Sequence, residues 1–429
     1  MKPAWRTCRA IFTLVLAFAL AGCAYTLVSD GQVNRPEANK IIAGIQELRE
    51  LQFKHEVPMV VETRDQAEQS MEADLAQDFS DAQLHADGVA GSMLGLFPAD
   101  FDLKTESLKL MKSQVAGYYD PRRKQMALVE GSADIGFWDS AAEFLIQRDL
   151  VGEMLLAHEL THALQDQNFG LEQKLDAVKY DDDRGVALKS VAEGDATIAG
   201  FAYVMGQMND ATLDRIVTQS AQLPELFAAE TKGTPQGLAE PLIFQYDYGM
   251  RFVAEAYRRG GWSAVDKLYG DPPLSSQQIL DPSKYFDHRV DPARVSLKGY
   301  EPALADWNVI DQDTYGELLL GIILQRGLGK DAPEVALARE WSGDHMVILS
   351  RGNEVTVLWL IAFNNSSAAE RFATAYRGIL AKIAIAQPSG VDVRNSNVLV
   401  AVGAAARNFG TLGPAIWQSS SVVRLDHET

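Results

Sequence analysis

Two histidines and a glutamate form the most distinctive chemical pattern in this chain of 429 residues. His158, Glu159 and His162 make an HExxH motif within residues 155–164, a stretch that contains neither Gly nor Pro. If the stretch is helical, both imidazoles project from one face about one turn apart, close enough to bind the same ion. The motif therefore predicts a divalent-metal site, with Glu159 beside the metal rather than bound to it.

This set of side chains suits zinc and hydrolysis. Two neutral imidazoles and one carboxylate leave a fourth coordination position for water, and the ion lowers the pKa of that water toward neutrality. Glu159 can accept the water proton as a general base and later donate it to a leaving amine. A surface helix with two incidental histidines is the alternative, but the rest of the helix favours the metal site.

The helix that positions the motif has a clear apolar face. Leu156, Leu160 and Leu164 recur every four residues on the side opposite the histidines. This stripe predicts that the leucines are buried while the imidazoles face a cleft. The glycine in residues 168–170 predicts the end of the helix.

Glu193 is the predicted third protein ligand. Its helical neighbours are all small, since they are Ser190, Ala196, Thr197 and Gly200. Such a face allows a second helix to approach the first closely enough for the carboxylate to reach the ion. The alternative is a glutamate in an ordinary alanine-rich packing helix.

Acidic residues flank this second helix. Asp195 points away from Glu193 on the helical wheel, which predicts a supporting or structural role. Three aspartates at 181–183 precede the helix, and without EF-hand spacing they favour helix capping over calcium binding, with Asp183 as the predicted cap.

The ten residues from His158 to Gln167 resemble one branch of the gluzincin metallopeptidases, poorly characterised bacterial and archaeal proteins with the sequence His-Glu-Leu-Thr-His-Ala-Leu-Gln-Asp-Gln. Further matches to that branch lie at residues 117–121, 191–196 and 272–280. The resemblance covers most of the chain and implies a zincin-like fold, one bound zinc ion and peptide-bond hydrolysis. The chain departs from the pattern at Asp281, where such sequences often have His, and at Thr197, where some gluzincins have Asp.

Peptide hydrolysis also needs a hydrogen-bond donor for the oxyanion, and zincins commonly use Tyr or His. Tyr246 is the first candidate for this role, with Tyr248 and His288 as alternatives. In zincins a sheet edge beside the active helix binds extended substrate. The hairpin predicted at residues 113–129 is a candidate for that edge, and an ordinary hairpin is the alternative.

The N-terminal segment, residues 1–22, predicts export. Three basic residues precede a short apolar core at 11–21, and the sequence Leu-Ala-Gly-Cys at its end is similar to a bacterial lipobox. We therefore predict acylation of Cys23 and attachment to the membrane, with Ala24 indicating the outer membrane in a two-membrane host. The alternatives are an ordinary secretory signal and an N-terminal membrane helix, and the second is disfavoured because the apolar core is too short to span a membrane.

Charge and cysteine content narrow the function classes. The net charge of −19 becomes −22 when the signal removes Lys2, Arg6 and Arg9. Such a surface argues against nucleic acid as a partner and is explained most simply by solubility, with a preference for basic peptides as the alternative. The chain has two cysteines. Cys8 leaves with the signal and Cys23 would carry the lipid, so the mature protein has no disulfide.

The predicted fold class is α+β. Residues 1–22 are the signal, 23–36 a tether, 37–294 a zincin-like and mainly helical metallopeptidase domain with a small β-sheet, and 295–429 a C-terminal α+β subdomain. Within that subdomain the patterns predict a turn at 341–344, a strand at 355–363, a helix at 366–382 and a hairpin at 391–402.

The sequence thus predicts a lipid-anchored zinc metallopeptidase that acts on a peptide or protein in the cell envelope. The alternative is an envelope assembly or chaperone-like lipoprotein that retains the scaffold without turnover. A structural lipoprotein without metal is a third possibility. An intact Glu159 favours the enzyme, while no pattern indicates the oligomeric state.

Overall fold

The computed structural model describes residues 27–29, 31–114, 117–129, 148–222, 231–383 and 387–424. Within these ranges the chain is a mixed α+β structure, which confirms the predicted class. The predicted signal segment and Cys23 lie outside the described residues. None of the helices in these ranges has both the length and the apolar character required to cross a bilayer.

The part of the chain before residue 290 is mainly helical. Its helices are α1 (Arg35–Arg49), α2 (Arg64–Asp78), α3 (Asp81–Leu94), α4 (Leu103–Gln114), α5 (Arg148–Phe169), α6 (Leu171–Asp176), α7 (Asp182–Met205), α8 (Asp210–Gln219), α9 (Gln236–Gly270), α10 (Ser276–Leu280) and α11 (Ser283–Phe286). Its strands are β1 (Val28–Ser29), β2 (Gln32–Val33), β3 (Met59–Glu62), β4 (Gly117–Asp120) and β5 (Gln125–Val129).

The rest of the chain alternates strands and helices. Its strands are β6 (Arg294–Ser296), β7 (Asn308–Asp313), β8 (Trp341–Arg351), β9 (Glu354–Phe363), β10 (Ser389–Arg394), β11 (Asn397–Gly403) and β12 (Ser421–Val423). Its helices are α12 (Gly316–Leu328), α13 (Ser366–Leu380) and α14 (Phe409–Ser419), with 3-10 turns at Pro333–Glu340 and Ala404–Asn408.

Helices α1, α5, α7 and α9 surround the first hydrophobic core. Leu156, Leu160 and Leu164 are at most 1 % exposed, which confirms that the leucine stripe of α5 faces this core. Helix α5 ends at Phe169 because Gly170 adopts a left-handed conformation, with φ of 67°. The β1–β2 hairpin lies within the predicted tether, and its Val28 and Val33 pack against the same core.

Helix α7 begins two residues earlier than the predicted cap implied. The side chain of Asp181, rather than that of Asp183, caps the helix by accepting a hydrogen bond from the backbone N–H of Arg184 at 3.0 Å. Asp183 is buried instead, and its carboxylate accepts a hydrogen bond from the backbone N–H of Ser276 at 2.9 Å. In a run of three aspartates the sequence alone does not determine which one ends up at the cap.

Glycines allow α7 to approach both of its long neighbours. A Cβ atom added to Gly194 would lie 2.4 Å from the backbone oxygen of Gly249 in α9, and one on Gly249 would lie 2.2 Å from that of Ser190. On the other side, a Cβ atom on Gly200 would lie 3.0 Å from the backbone oxygen of Met154 in α5. The small residues of α7 therefore bring these backbones into close contact, and the approach to α5 is the one that the sequence predicted.

A small sheet lies beside α5. Its strand order is β3-β5-β4, so β4 is an edge strand, with β3 and β5 parallel and β4 and β5 antiparallel. Strands β4 and β5 with the turn between them confirm the predicted hairpin. The edge strand β4 contacts α5.

The second half of the fold is built on a sheet of five antiparallel strands in the order β10-β11-β9-β8-β7. Helices α12 and α13 cover one face, together with α3 from the first half of the chain. Strand β9 is buried on both faces, which explains its nearly continuous apolar sequence. The predicted strand at 355–363, helix at 366–382 and hairpin at 391–402 are confirmed with small changes in their bounds.

The turn predicted at residues 341–344 is wrong, because these residues begin β8. Gly343 packs so closely against the segment before β6 that a Cβ atom would lie 2.5 Å from the backbone oxygen of Ala293. The Asp344 carboxylate is buried and accepts hydrogen bonds from the indoles of Trp341 and Trp359 at 2.8 and 2.7 Å. Residue types common in turns serve here for close packing and for a buried acceptor.

Candidate metal centre

His158, His162 and Glu193 lie together between α5 and α7. The Nε2 atoms of the two histidines are 3.1 Å apart, and the Glu193 Oε2 atom is 3.3 Å from His158 Nε2 and 3.5 Å from His162 Nε2. Ligands about 2.0–2.2 Å from a tetrahedral ion are about 3.3–3.6 Å from one another. The three atoms therefore have the spacing of one ligand set. In the part of the chain that the structure describes, this is the group of side chains that could hold a metal ion.

The charges of this group favour a cation between the three side chains. Burial by itself lowers the pKa of His162, but the negative charges of Glu193 and Glu159 and the hydrogen bonds to Glu193 and Gln165 together outweigh it and raise that pKa to about 10. Burial likewise raises the pKa of Glu193, yet the neighbouring imidazoles hold it well below its usual range. The Glu193 Oε2 atom is fully buried and receives no hydrogen bond of good geometry. A proton or a metal ion satisfies such an arrangement, and imidazole nitrogens are donors that suit transition metals better than calcium.

Glu159 is held at the edge of the small sheet. Its Oε2 atom accepts a hydrogen bond from the backbone N–H of Tyr119 in β4 at 2.9 Å. The hydroxyl of the same tyrosine donates to Asp166, two turns further along α5, at 3.2 Å. Strand β4 is thus fastened to α5 at two points, and one of them orients the carboxylate predicted to move protons.

Tyr246 reaches the site from α9. Its ring stacks on His158 with centroids 6.2 Å apart, and the side chain lies beside Glu193. Burial, together with the charges of Glu193 and Glu159, raises the pKa of Tyr246 well above its ordinary value, so the phenol stays protonated and can donate. The structure therefore places the first candidate for the oxyanion donor next to the proposed ligands.

The two alternative donors lie elsewhere. Tyr248 is 38 % exposed and lines a separate cavity of about 670 Å³, which α9 forms with α12 and the 3-10 turn at Pro333–Glu340. His288 is exposed in the loop after α11. The segment at 272–280, considered as part of the resemblance, ends in α10 and braces the fold. Gln277 of α10 donates to Glu317 at 2.8 Å and to the backbone oxygen of Trp341 at 2.9 Å.

A buried polar network lies behind His162 and was not predicted from the sequence. The Nδ1 atom of His162 is 2.9 Å from Gln165 Oε1, and Gln165 Nε2 donates to Asp195 Oδ2 at 3.1 Å. Asp195 in turn accepts two hydrogen bonds from Arg49, at 2.8 and 3.2 Å, and one from Tyr269 at 2.8 Å. Asp195 is thus a supporting residue, and the network extends from the candidate ligand His162 to Arg49 at the end of α1.

Each residue of the Gln-Asp-Gln sequence after the motif contacts a different neighbour. Gln165 reaches His162 and Asp195, while Asp166 accepts from Tyr119. Gln167 binds the loop after α1, accepting from the backbone N–H groups of residues 54 and 55 at 2.7 and 3.0 Å. The spacing of Gln165 from His162, one turn along the helix, was the one signal in the sequence that could have revealed the network.

Comparisons with known proteins say little about this site. A family model described as a domain of unknown function, DUF8575, matches residues 306–409, about a quarter of the chain. This range does not include His158, His162 or Glu193. No curated protein matches the chain. A crystal structure of a proposed hydrolase with a novel fold from Chloroflexus aurantiacus is similar, with a TM-score of 0.40 and 15 % identity over 60 % of this chain and 90 % of that one.

Proposed function

We propose that the protein is a zinc-dependent metallopeptidase of the gluzincin type. One observation carries the proposal: the His158, His162 and Glu193 ligand atoms form a triangle with sides of 3.1, 3.3 and 3.5 Å. Two nitrogen ligands and one oxygen ligand match the donor set of catalytic zinc sites, which keep a position open for water. A zincin-like arrangement of the helical part of the chain belongs to this proposal.

The residues around the triangle fit hydrolysis. When bound, zinc supplies a Lewis acid that polarises a carbonyl and lowers the pKa of water. Glu159 accepts the proton and passes it to the leaving amine, and the N–H of Tyr119 keeps its carboxylate in position for both transfers. The protonated Tyr246 hydroxyl is the donor to the developing oxyanion.

The cellular setting is part of the proposal. The Leu-Ala-Gly-Cys sequence ending at Cys23 supports export and acylation, so that the hydrolase would act on peptides or proteins of the cell envelope. Mass spectrometry of the protein purified from a bacterial membrane tests this directly. Acylation at Cys23 is expected, and a mature chain that begins elsewhere without lipid would contradict it.

Glu159→Gln tests the activity. The substitution removes the base and leaves the three ligands, so zinc content should stay near one ion per chain. The cleavage rate of a peptide library should fall about 10²- to 10⁴-fold. Glu255→Gln is the matched control, since Glu255 pairs with Arg259 on the surface of α9 and should leave both quantities unchanged.

The outcomes separate the two function classes. Cleavage by the wild type and the control but not by Glu159→Gln supports the peptidase. If the wild type and Glu159→Gln are both loaded with zinc and neither cleaves any peptide, the peptidase proposal fails, and the chaperone-like lipoprotein with a retained scaffold becomes the better explanation.

A further inference from the structure

The amide of Gln165 can be oriented without ambiguity. One end of the side chain lies 3.0 Å from the backbone oxygen of Ala192 and 3.1 Å from Asp195 Oδ2. A carbonyl and a carboxylate can only accept hydrogen bonds, so this end must be the NH₂ group. The other end, 2.9 Å from His162 Nδ1, must therefore be the oxygen.

This orientation determines the hydrogen on the imidazole. Because an amide oxygen only accepts, His162 must carry a proton on Nδ1. Its Nε2 atom is the ring nitrogen that faces His158 and Glu193. With Nδ1 protonated, Nε2 is the atom left to offer a lone pair to a metal ion.

Asp195 sets the direction of the hydrogen bonds that run from His162 through Gln165, because its carboxylate only accepts. Its carboxylate is fully buried and is paired with Arg49, whose side chain is also fully buried. Arg49 is itself held by Asp266 at 2.9 Å and by the ring of Trp262, 4.2 Å from the guanidinium carbon. Trp262 follows the kink of α9, where Gly261 has φ of 64°. Arg49, Tyr269 and Gln165 thus all donate hydrogen bonds to the Asp195 carboxylate.

We propose that Arg49, Asp195 and Gln165 are positioning residues that hold His162 in the tautomer with a free Nε2 atom and thereby raise the affinity of the site for zinc. This inference rests on the zinc centre of the proposed function, and it makes α1 part of the metal site. Arg49 lies 146 residues before Asp195 in the chain.

Asp195→Asn is the sharpest test, because it changes one atom and keeps the shape. An asparagine must present its NH₂ group to one of the donors now facing Asp195. If that group faces Gln165, the Gln165 amide must reverse and present its own NH₂ group to His162. Nδ1 must then accept and the proton moves to Nε2, which opposes metal binding. Loss of such a supporting partner typically weakens metal affinity about 10- to 100-fold, and we expect a change of that size.

A pair of substitutions at Gln165 provides an independent test. Gln165→Met keeps the length of the side chain but has no oxygen, so zinc affinity should fall about 10- to 100-fold. Gln165→Glu retains an acceptor opposite Nδ1 and should bind zinc more tightly than the Met variant. Asp344→Asn is the control for buried aspartates, since this residue lies in the other core and its loss should lower stability without changing zinc affinity.

The measurements do not depend on peptide cleavage. Zinc affinity is obtained by competition with a chromophoric chelator, and ¹⁵N–¹H NMR of the zinc-loaded protein shows whether His162 Nδ1 carries a proton protected from exchange. The wild type should show that proton, and Gln165→Met should show it exchanging rapidly. If Asp195→Asn does not fold, the two Gln165 variants decide the question.

Equal zinc affinities for the wild type, Asp195→Asn and Gln165→Met would overturn the inference even if the wild type cleaves peptides. If Asp195→Asn and Gln165→Met bind zinc more weakly but the wild type cleaves no peptide, the inference is supported and the proposed peptidase activity fails. A wild type that binds no zinc would overturn both.

Discussion

Asp87→Asn should stabilise the protein at neutral and alkaline pH. Asp87 lies on α3 beside Asp311 of β7, and one of its carboxylate oxygens is buried without a hydrogen-bond partner. Burial, and then the charges of Asp311 and Asp182, raise the pKa of Asp87 to about 8. Burial also raises the pKa of Asp181 to about 6 and that of Asp313 well above its ordinary value. The folded protein therefore favours protonated carboxyls here.

The sign and size of the effect follow from linkage. A carboxyl whose pKa is raised on folding stabilises the fold below its unfolded pKa of 3.8, and this contribution is lost as the pH rises toward 8. At about 1.4 kcal/mol per pH unit, the contribution of Asp87 falls by about 4 kcal/mol between pH 5 and pH 9. Asparagine does not ionise, so the Asn variant lacks this loss.

Urea unfolding at several pH values from 5 to 9, in buffers with a chelator, measures the difference. Wild-type stability should fall with pH, and the fall should be smaller by roughly 2–4 kcal/mol in Asp87→Asn. Asp306→Asn is the control, because Arg351 lowers the pKa of this exposed residue and it stays ionised throughout the range. Parallel pH profiles for the wild type and Asp87→Asn would refute the reasoning.

Two further predictions concern packing and catalysis. Gly249→Ala should lower the free energy of unfolding by about 1–3 kcal/mol in urea unfolding, since the new Cβ atom would lie 2.2 Å from the backbone oxygen of Ser190. Gly378→Ala on α13, where nothing lies within 4 Å, should instead raise it by about 0.5–1 kcal/mol, and equal effects would contradict the close approach of α7 and α9. Tyr246→Phe keeps the ring that stacks on His158 but loses the hydroxyl, so the turnover number for peptide cleavage should fall about 10²- to 10³-fold with zinc affinity nearly unchanged. An unaltered turnover number would remove Tyr246 from the oxyanion role.

Local patterns in the sequence were enough for several elements. The leucine stripe and the absence of helix breakers predicted α5, and the apolar run at 355–363 predicted β9, because periodicity and burial are linked within one element. The small neighbours of Glu193 predicted that α7 approaches α5, because two helices can pack this closely only where the side chains between them are small. The roles of these residues in zinc binding and peptide cleavage stay predictions until the variants are measured.

The sequence did not predict which of two similar local structures would form. Asp181 and Asp183 are equally suitable caps by type, and the contact of Asp183 with Ser276, far along the chain, distinguishes them. The turn expected at 341–344 became part of β8 because pairing with β9 and the buried role of Asp344 outweigh local turn preference. Likewise, α3 belongs to the core of the C-terminal sheet, although it precedes that sheet by a long stretch of chain.

The sequence by itself determined which residues can bind a metal, because the HExxH spacing and the small face of α7 are properties of single helices. Only the tertiary structure decided what surrounds them: Tyr119 holding Glu159, Tyr246 stacking on His158, and Arg49 holding Asp195 across 146 residues. Those contacts join elements that are far apart in the chain, and no local pattern in either element predicts its partner. They form because a buried carboxylate or imidazole must find its hydrogen-bond partner wherever the packed chain brings one.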